Sequence, residues 1–210
     1  AYEISLGLVG SEMCIRDRCL LAAGSLSSAA PAVTGVPEDV IKATAESVLN
    51  RIKVDREGLG ADPARLYQLV DEKVVPHFDF PRMSQWVLGK NWKGADLELK
   101  KRFILEFKNL LVRTYATALL EYSDQTITYF PVGNSDPAKL VTVKTEINQP
   151  GSVPTPITYK MHAKDGNWKV FDVSVDGVSL IATYRASFAS EIRQNGLEAL
   201  VNDLASRAAK

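Results

Sequence analysis

The sequence predicts an α+β fold in which helices wrap one mainly antiparallel, four-stranded sheet and the chain ends in helix. Three observations predict it. Apolar residues recur at three- and four-residue steps between residues 40 and 122. After Asp124 the period falls to two and stays there to Val175. From Ser179 the helical spacing returns. Helices, then strands, then helices is the order of a segregated sheet; alternating βαβ units would interleave the two.

Each element has its own signal. Pro37 and Glu38 open the first helix, whose stripe is Val40, Ile41, Ala45, Val48, Leu49 and Ile52, and Gly58 and Gly60 are expected to end it. Asp62-Pro63 supplies an N-cap and a first-turn proline for the second helix. Leu66, Leu69, Val70, Val74 and Val75 are its stripe, and Pro76 is its stop. Residues 78–81 form a break. Met83, Val87 and Leu88 mark a short third helix that stops at Gly89. The fourth helix is the longest, residues 96–122. Phe103, Phe107, Leu110, Leu111, Tyr115, Leu119 and Tyr122 share one side of it; Lys100, Lys101, Glu106, Lys108 and Arg113 share the other.

Residues 126–130, 140–147, 157–164 and 168–175 read as the four strands. In the third, Ile157, Tyr159, Met161 and Ala163 face one way and Thr158, Lys160, His162 and Lys164 the other. Such half-apolar strands belong to an antiparallel sheet with one wet face. Asp165-Gly166 predicts a tight hairpin between the third and fourth strands. The fourth strand poses a parity problem, because Trp168 and Val170 point opposite to Phe171 and Val173. Helix resumes with Ile181, Tyr184, Phe188 and Ile192, is interrupted at Gly196, and ends with Leu197, Leu200, Val201 and Leu204.

The N-terminal stretch differs from this pattern. Residues 1–18 carry mixed charge and read as a non-native junction sequence. In residues 19–32, preceded by Arg16 and Arg18, a modest apolar run leads to small residues and to Ala30-Pro31-Ala32, as at the end of a secretory signal peptide. Residues 1–32 are therefore read as lying outside the domain, and residues 33–210 as a single domain. Both cysteines, Cys14 and Cys19, fall in the first segment. A cysteine-free body suits an oxidising compartment and also occurs in many cytosolic proteins.

Composition excludes more than it selects. The 210 residues hold 25 basic and 25 acidic side chains, so the chain lacks the positive excess of a nucleic-acid binder. No run of about 18 apolar residues suggests a transmembrane helix. No P-loop, G-x-G-x-x-G or G-x-S-x-G motif occurs. The two histidines, His77 and His162, lack metal-ligand spacing, so no metal or other cofactor is expected; His162 is expected to be exposed. Two features stay open. Asp172, mid-strand among apolar neighbours, is either a structural carboxylate or a general base of raised pKa. The aromatic stripe of the fourth helix, the sheet and the following helix is either core or the lining of a ligand pocket.

Residues 74–122, VVPHFDFPRMSQWVLGKNWKGADLELKKRFILEFKNLLVRTYATALLEY, resemble the central helices of the MlaC or toluene-tolerance auxiliary family. Residues 166–204, GNWKVFDVSVDGVSLIATYRASFASEIRQNGLEALVNDL, resemble its C-terminal signature. The resemblance implies a curved, NTF2-like cone of sheet and helices. It also implies a monomeric periplasmic carrier, not an enzyme, that holds glycerophospholipid as its cargo. Its implied partners are an outer-membrane lipoprotein–porin complex and an inner-membrane transporter complex with an MCE domain. By the matched segments, Val87, Leu88, Trp92, Phe107, Leu111 and Tyr115 would form the helical wall of the lipid cavity. Val143, Tyr159, Met161, Trp168 and Val170 would form the sheet wall, with Val178, Ile181 and Tyr184 near the mouth. The competing reading is a small-molecule isomerase or dehydratase on the same cone, with Asp172 as base.

Overall fold

Asp-Gly turns and aspartate caps punctuate the chain. The computed structural model describes residues 35–122, 125–133 and 140–208. The junction and signal-peptide readings of residues 1–32 lie outside the described residues. The rest belongs to one compact unit, Pro31–Lys210.

Helix α1, Pro37–Val54, starts on its proline with Glu38 and Asp39 in the first turn and has Arg51 and Lys53 in the last. That charge order complements the helix dipole. The glycines do not end the helical run. Gly58 and Gly60 lie inside α2, Arg56–Ala61, which turns so that Leu59 packs against Val48, Ile52 and Leu69. At position 58 a side chain would displace the Asp55 carboxylate, which occupies the space glycine leaves. That carboxylate pairs with Arg51 at 3.1 Å and Arg65 at 2.6 Å. Helix α3, Pro63–Lys73, is capped by Asp62, which accepts from the Ala64 N–H.

A single 3-10 turn, Val75–His77, leads to α4, Phe80–Leu88, capped by Asp79. Gly89, at φ +54°, ends α4 with the Arg185 guanidinium packed beside it. The short α5, Lys90–Gly94, follows and was not visible in the periodicity. Helix α6, Leu97–Ala116, is capped by Asp96 and passes into a 3-10 turn at Thr117–Leu119. It stops short of the expected Tyr122 because the Arg56 guanidinium collects the Leu120 and Tyr122 carbonyls, turning the chain away.

The sheet has five strands, not four: β1 Thr126–Phe130, β2 Val141–Asn148, β3 Thr155–Lys164, β4 Asn167–Val175 and β5 Val178–Ser179. They pair antiparallel in chain order. Strand β5 is two residues long, too short for alternation to reveal. Its turn, Asp176-Gly177, repeats the chemistry of Asp165-Gly166. All four residues have φ between 49° and 79°, the left-handed conformation of a two-residue hairpin loop.

A β-bulge resolves the parity problem in β4. Met161 pairs with Val170, but Lys160 pairs with Asp172, so Phe171 is the extra residue. Trp168 and Val170 before the bulge therefore share a face with Val173 and Val175 after it, opposite Ala163, Met161, Tyr159 and Ile157. Phe171 turns to the other face and packs against α4 and α7. Helices α7, Leu180–Asn195, and α8, Leu197–Ala208, complete the fold; with α4 and α6 they enclose the largest core cluster.

Candidate functional site

Helices α1, α3 and α6 lie over the inner face of the sheet without filling the space above it. Two adjoining cavities result. Cavity 1, about 310 Å³, lies between α3, α6 and the β3–β4 end of the sheet. Val70, Val74 and Val75 come from the α3 side, Leu111, Val112, Tyr115 and Ala116 from α6, and Ile157, Tyr159, Val173 and Val175 from the sheet. Cavity 2, about 240 Å³, lies under α1. Ile41, Ala45, Val48 and Leu49 roof it, and Ile127, Ile147, Ile157 and Val170 floor it. The tyrosine hydroxyls, Thr44 and His77 are the polar exceptions on otherwise hydrocarbon walls. Apolar walls hold no water network and suit hydrocarbon.

The more exposed lining residues of cavity 1, Tyr115 at 42% and Val175 at 38%, mark its mouth. There the Tyr184 hydroxyl lies beside Tyr115 and Thr114, and burial with the neighbouring Tyr115 pushes its pKa up to about 12. Burial likewise raises the Tyr159 phenol.

The charged chemistry sits on the opposite face of the sheet. Asp172, 3% exposed, pairs with Lys160 at 3.0 Å, accepts from the Ser179 hydroxyl at 2.9 Å, and takes the Ile181 N–H at 3.3 Å. Ser179 is the N-cap of α7. Asp172 therefore locks β4 to α7, and it lines neither cavity. The structural reading accounts for these contacts, which tie β4 to the start of α7.

Asp79 is the second buried carboxylate. It accepts from the Arg82 N–H at 3.1 Å, Lys164 Nζ at 3.1 Å and His162 Nε2 at 3.0 Å. Burial works against its charge, but the Arg82 amide, Lys164 and His162 together hold the carboxyl below its usual range. Arg82 Nη1 lies 3.2 Å from His162 Nδ1, and its guanidinium stacks 4.7 Å from the Phe171 ring centre. His162 is therefore not exposed as expected; its side chain is 12% accessible. Burial, and then the Arg82 charge, lower its pKa despite Asp79. Among the described residues no group of three potential ligands could hold a metal ion.

Four of the fourteen residues singled out in the sequence line a cavity: Leu111, Tyr115, Tyr159 and Val170. Val87, Leu88, Trp92, Phe107, Ile181 and Tyr184 lie elsewhere, in or against the core of α4, α6, α7 and α8, where aromatic rings fill the space. Val143, Met161 and Trp168 lie on the inner sheet face, but Ile41 covers them, and the Trp168 indole donates to the Gly35 carbonyl at 3.2 Å. Val178 is 61% exposed on the edge strand. Among the lining residues that the sequence reading missed are Phe78, Val112, Ala116, Val173 and Val175. Four of these five share a signal of size: small or β-branched residues where a packed element would carry leucine or phenylalanine. Phe78 is the exception, and its role depends on a contact that sequence spacing does not contain.

Two hollow apolar chambers between a helical layer and a bulged antiparallel meander define an apolar-ligand-binding fold. A sequence model of the MlaC protein family matches residues 42–206, and the chain belongs to that family. It is 29% identical over 161 residues to toluene tolerance protein ttg2D of Pseudomonas putida, covering 76% of this chain and 74% of that one. It is 23% identical over 171 residues to the intermembrane phospholipid transport system binding protein MlaC of Haemophilus influenzae, covering 80% of each. The fold is similar, with a TM-score of 0.76 and 34% identity, to a phospholipid-binding protein from Ralstonia solanacearum solved in complex with a phospholipid. That match covers 83% of this chain and 98% of the other.

Proposed function

We propose that this protein binds phospholipid by its acyl chains within the two cavities and transports it through the periplasm. In this reading residues 33–210 form the lipid-binding domain, and the exchange partners are an outer-membrane lipoprotein–porin complex and an inner-membrane MCE-domain complex. The observation that carries the reading is the pair of hydrocarbon-lined cavities in a fold shared with a phospholipid-bound relative. Two acyl chains bring roughly 30 methylenes, and exposing them to water costs on the order of 20 kcal/mol. Unaided diffusion of the lipid across water is then negligible, so a carrier needs apolar space and no catalytic group. Left empty, a rigid 310 Å³ cavity would cost about 7 kcal/mol, half or more of a typical domain's stability. Among the described residues no helix is long and apolar enough to cross a membrane.

Leu111, Tyr115, Tyr159 and Val170 contact the chains directly, and the head group stays at the mouth beside Tyr115 and Tyr184. Val87, Leu88, Trp92, Phe107, Val143, Met161, Trp168 and Ile181 hold the walls from behind. Native mass spectrometry of the protein purified from a Gram-negative host, with lipid extraction, tests this. Near-stoichiometric phospholipid is the expected result. A clean apo mass, with no uptake from phospholipid vesicles, would sink it.

A further inference from the structure

The two cavities adjoin through a shared wall of five side chains: Val74, Phe78 and Leu119 from the helical layer, and Ile157 and Tyr159 from the sheet. Phe78 differs from the other helical-layer members in how it is held. Its backbone forms a parallel bridge to Val170 of β4. The next residue bonds the same strand, with the Asp79 N–H donating to the Val170 carbonyl at 2.8 Å. The Asp79 side chain then grips β3 through His162 and Lys164 and caps α4. The Phe78 ring is backed by Phe80, with centroids 6.0 Å apart. The segment between α3 and α4 thus drops from the helical layer onto the sheet, and main-chain bonds fix it there. Those bonds fix the backbone that carries the ring, and the Phe80 ring stacked behind it restricts the side chain's own rotation.

The geometry points to Phe78 as a fixed partition that divides the apolar space into two compartments, each taking one alkyl chain independently of the other. This rests on the lipid-binding reading and deepens it. The consequence is a second ligand class. Single-chain amphiphiles, such as lysophospholipids, bind two to a protein, one per compartment, without needing a glycerol bridge between the chains. A single undivided cavity would instead take its ligands as one cooperative set.

The test counts ligands by native mass spectrometry on delipidated protein offered 1-palmitoyl lysophosphatidylethanolamine, with a diacyl phosphatidylethanolamine offered in parallel. Wild type is expected to bind two lysolipids. Ala45→Phe in the roof of cavity 2 and Val175→Phe at the mouth of cavity 1 are each expected to lose one copy and keep the other. Phe78→Ala is expected to make the two events interdependent; Phe78→Leu, milder to folding, should shift them the same way. If wild type binds diacyl lipid but never two lysolipids, or if either blocking variant removes both copies, the partition is overturned while the carrier reading stands. If neither lipid binds, both fail.

Discussion

The two halves of α6 carry one apolar stripe and use it in opposite ways. Toward its N-terminus, Phe103 and Phe107 stack at 5.6 Å, and Phe107 meets Tyr184 and Phe188 edge-on at 5.4 and 6.0 Å. That half is closed. Toward its C-terminus, Val112 and Ala116 face cavity 1 together with Leu111 and Tyr115. Opposite them stand Val173 and Val175, also short. Hydrophobicity is alike in the two halves, and side-chain reach is not. Aromatic rings span the distance to the neighbouring element, whereas valine and alanine from both sides stop before they meet. A hollow site can therefore be built from ordinary amphipathic elements by keeping facing residues small.

Emptying the closed half gives the largest expected effect. Phe107→Ala should cost about 3–5 kcal/mol, read as a lower urea midpoint at unchanged slope. A loss under about 1 kcal/mol would mean that this half also has room to spare. Filling each half comes next. Leu200→Phe in the closed core should cost about 1–3 kcal/mol by overpacking. Val173→Phe, aimed into cavity 1, should cost clearly less and lower the bound lipid per protein. Equal costs would show that cavity 1 is packed in solution and that the contrast is false.

Asp172→Asn ranks third. It weakens the Lys160 pair and the tie to the α7 cap, so a loss of about 1–2 kcal/mol is expected. Lipid content should not change. Lipid loss at full stability would move Asp172 into the site.

The smallest effect is that of pH. His162 has a folded pKa below its ordinary 6.5, first because it is buried and then because Arg82 is near. The unfolded chain therefore binds the proton more readily. The contribution of His162 is complete above pH 6.5 and is lost as pH falls through that value toward the lower folded one. Asp79, lowered from 3.8, stabilises above that pH and loses its contribution only as pH falls through its own folded value. Denaturation midpoints should fall modestly between about pH 8 and about pH 5. His162→Gln should remove part of that slope, leaving the share of His77, which burial and then Lys169 also lower. A flat profile in wild type would contradict the lowered pKa of His162.

Elements with a strong local signal were legible. The aspartate cap at 62, the alternation of β3 and the Asp165-Gly166 hairpin each depend on residues close in sequence. The second Asp-Gly pair was equally visible, but the strand it starts is two residues long. The end of α6 was not legible, because Arg56, some 64 residues earlier, determines it.

The site divides the same way. The sequence alone determined that the chain folds as α+β, that α6 and β3 each have one apolar face, and that Tyr159 shares a face with Met161. Those are consequences of helical and strand periods, which act over a few residues. Only the tertiary structure decided which apolar residues touch hollow space. The bulge at Phe171 put Val173 and Val175 on the face of Val170, and the descent of residues 78 and 79 onto β4 set Phe78 between the cavities. Packed core and cavity wall use the same chemistry, so local sequence cannot separate them. The distinction lies in what stands opposite each side chain, and that is fixed by contacts between distant parts of the chain.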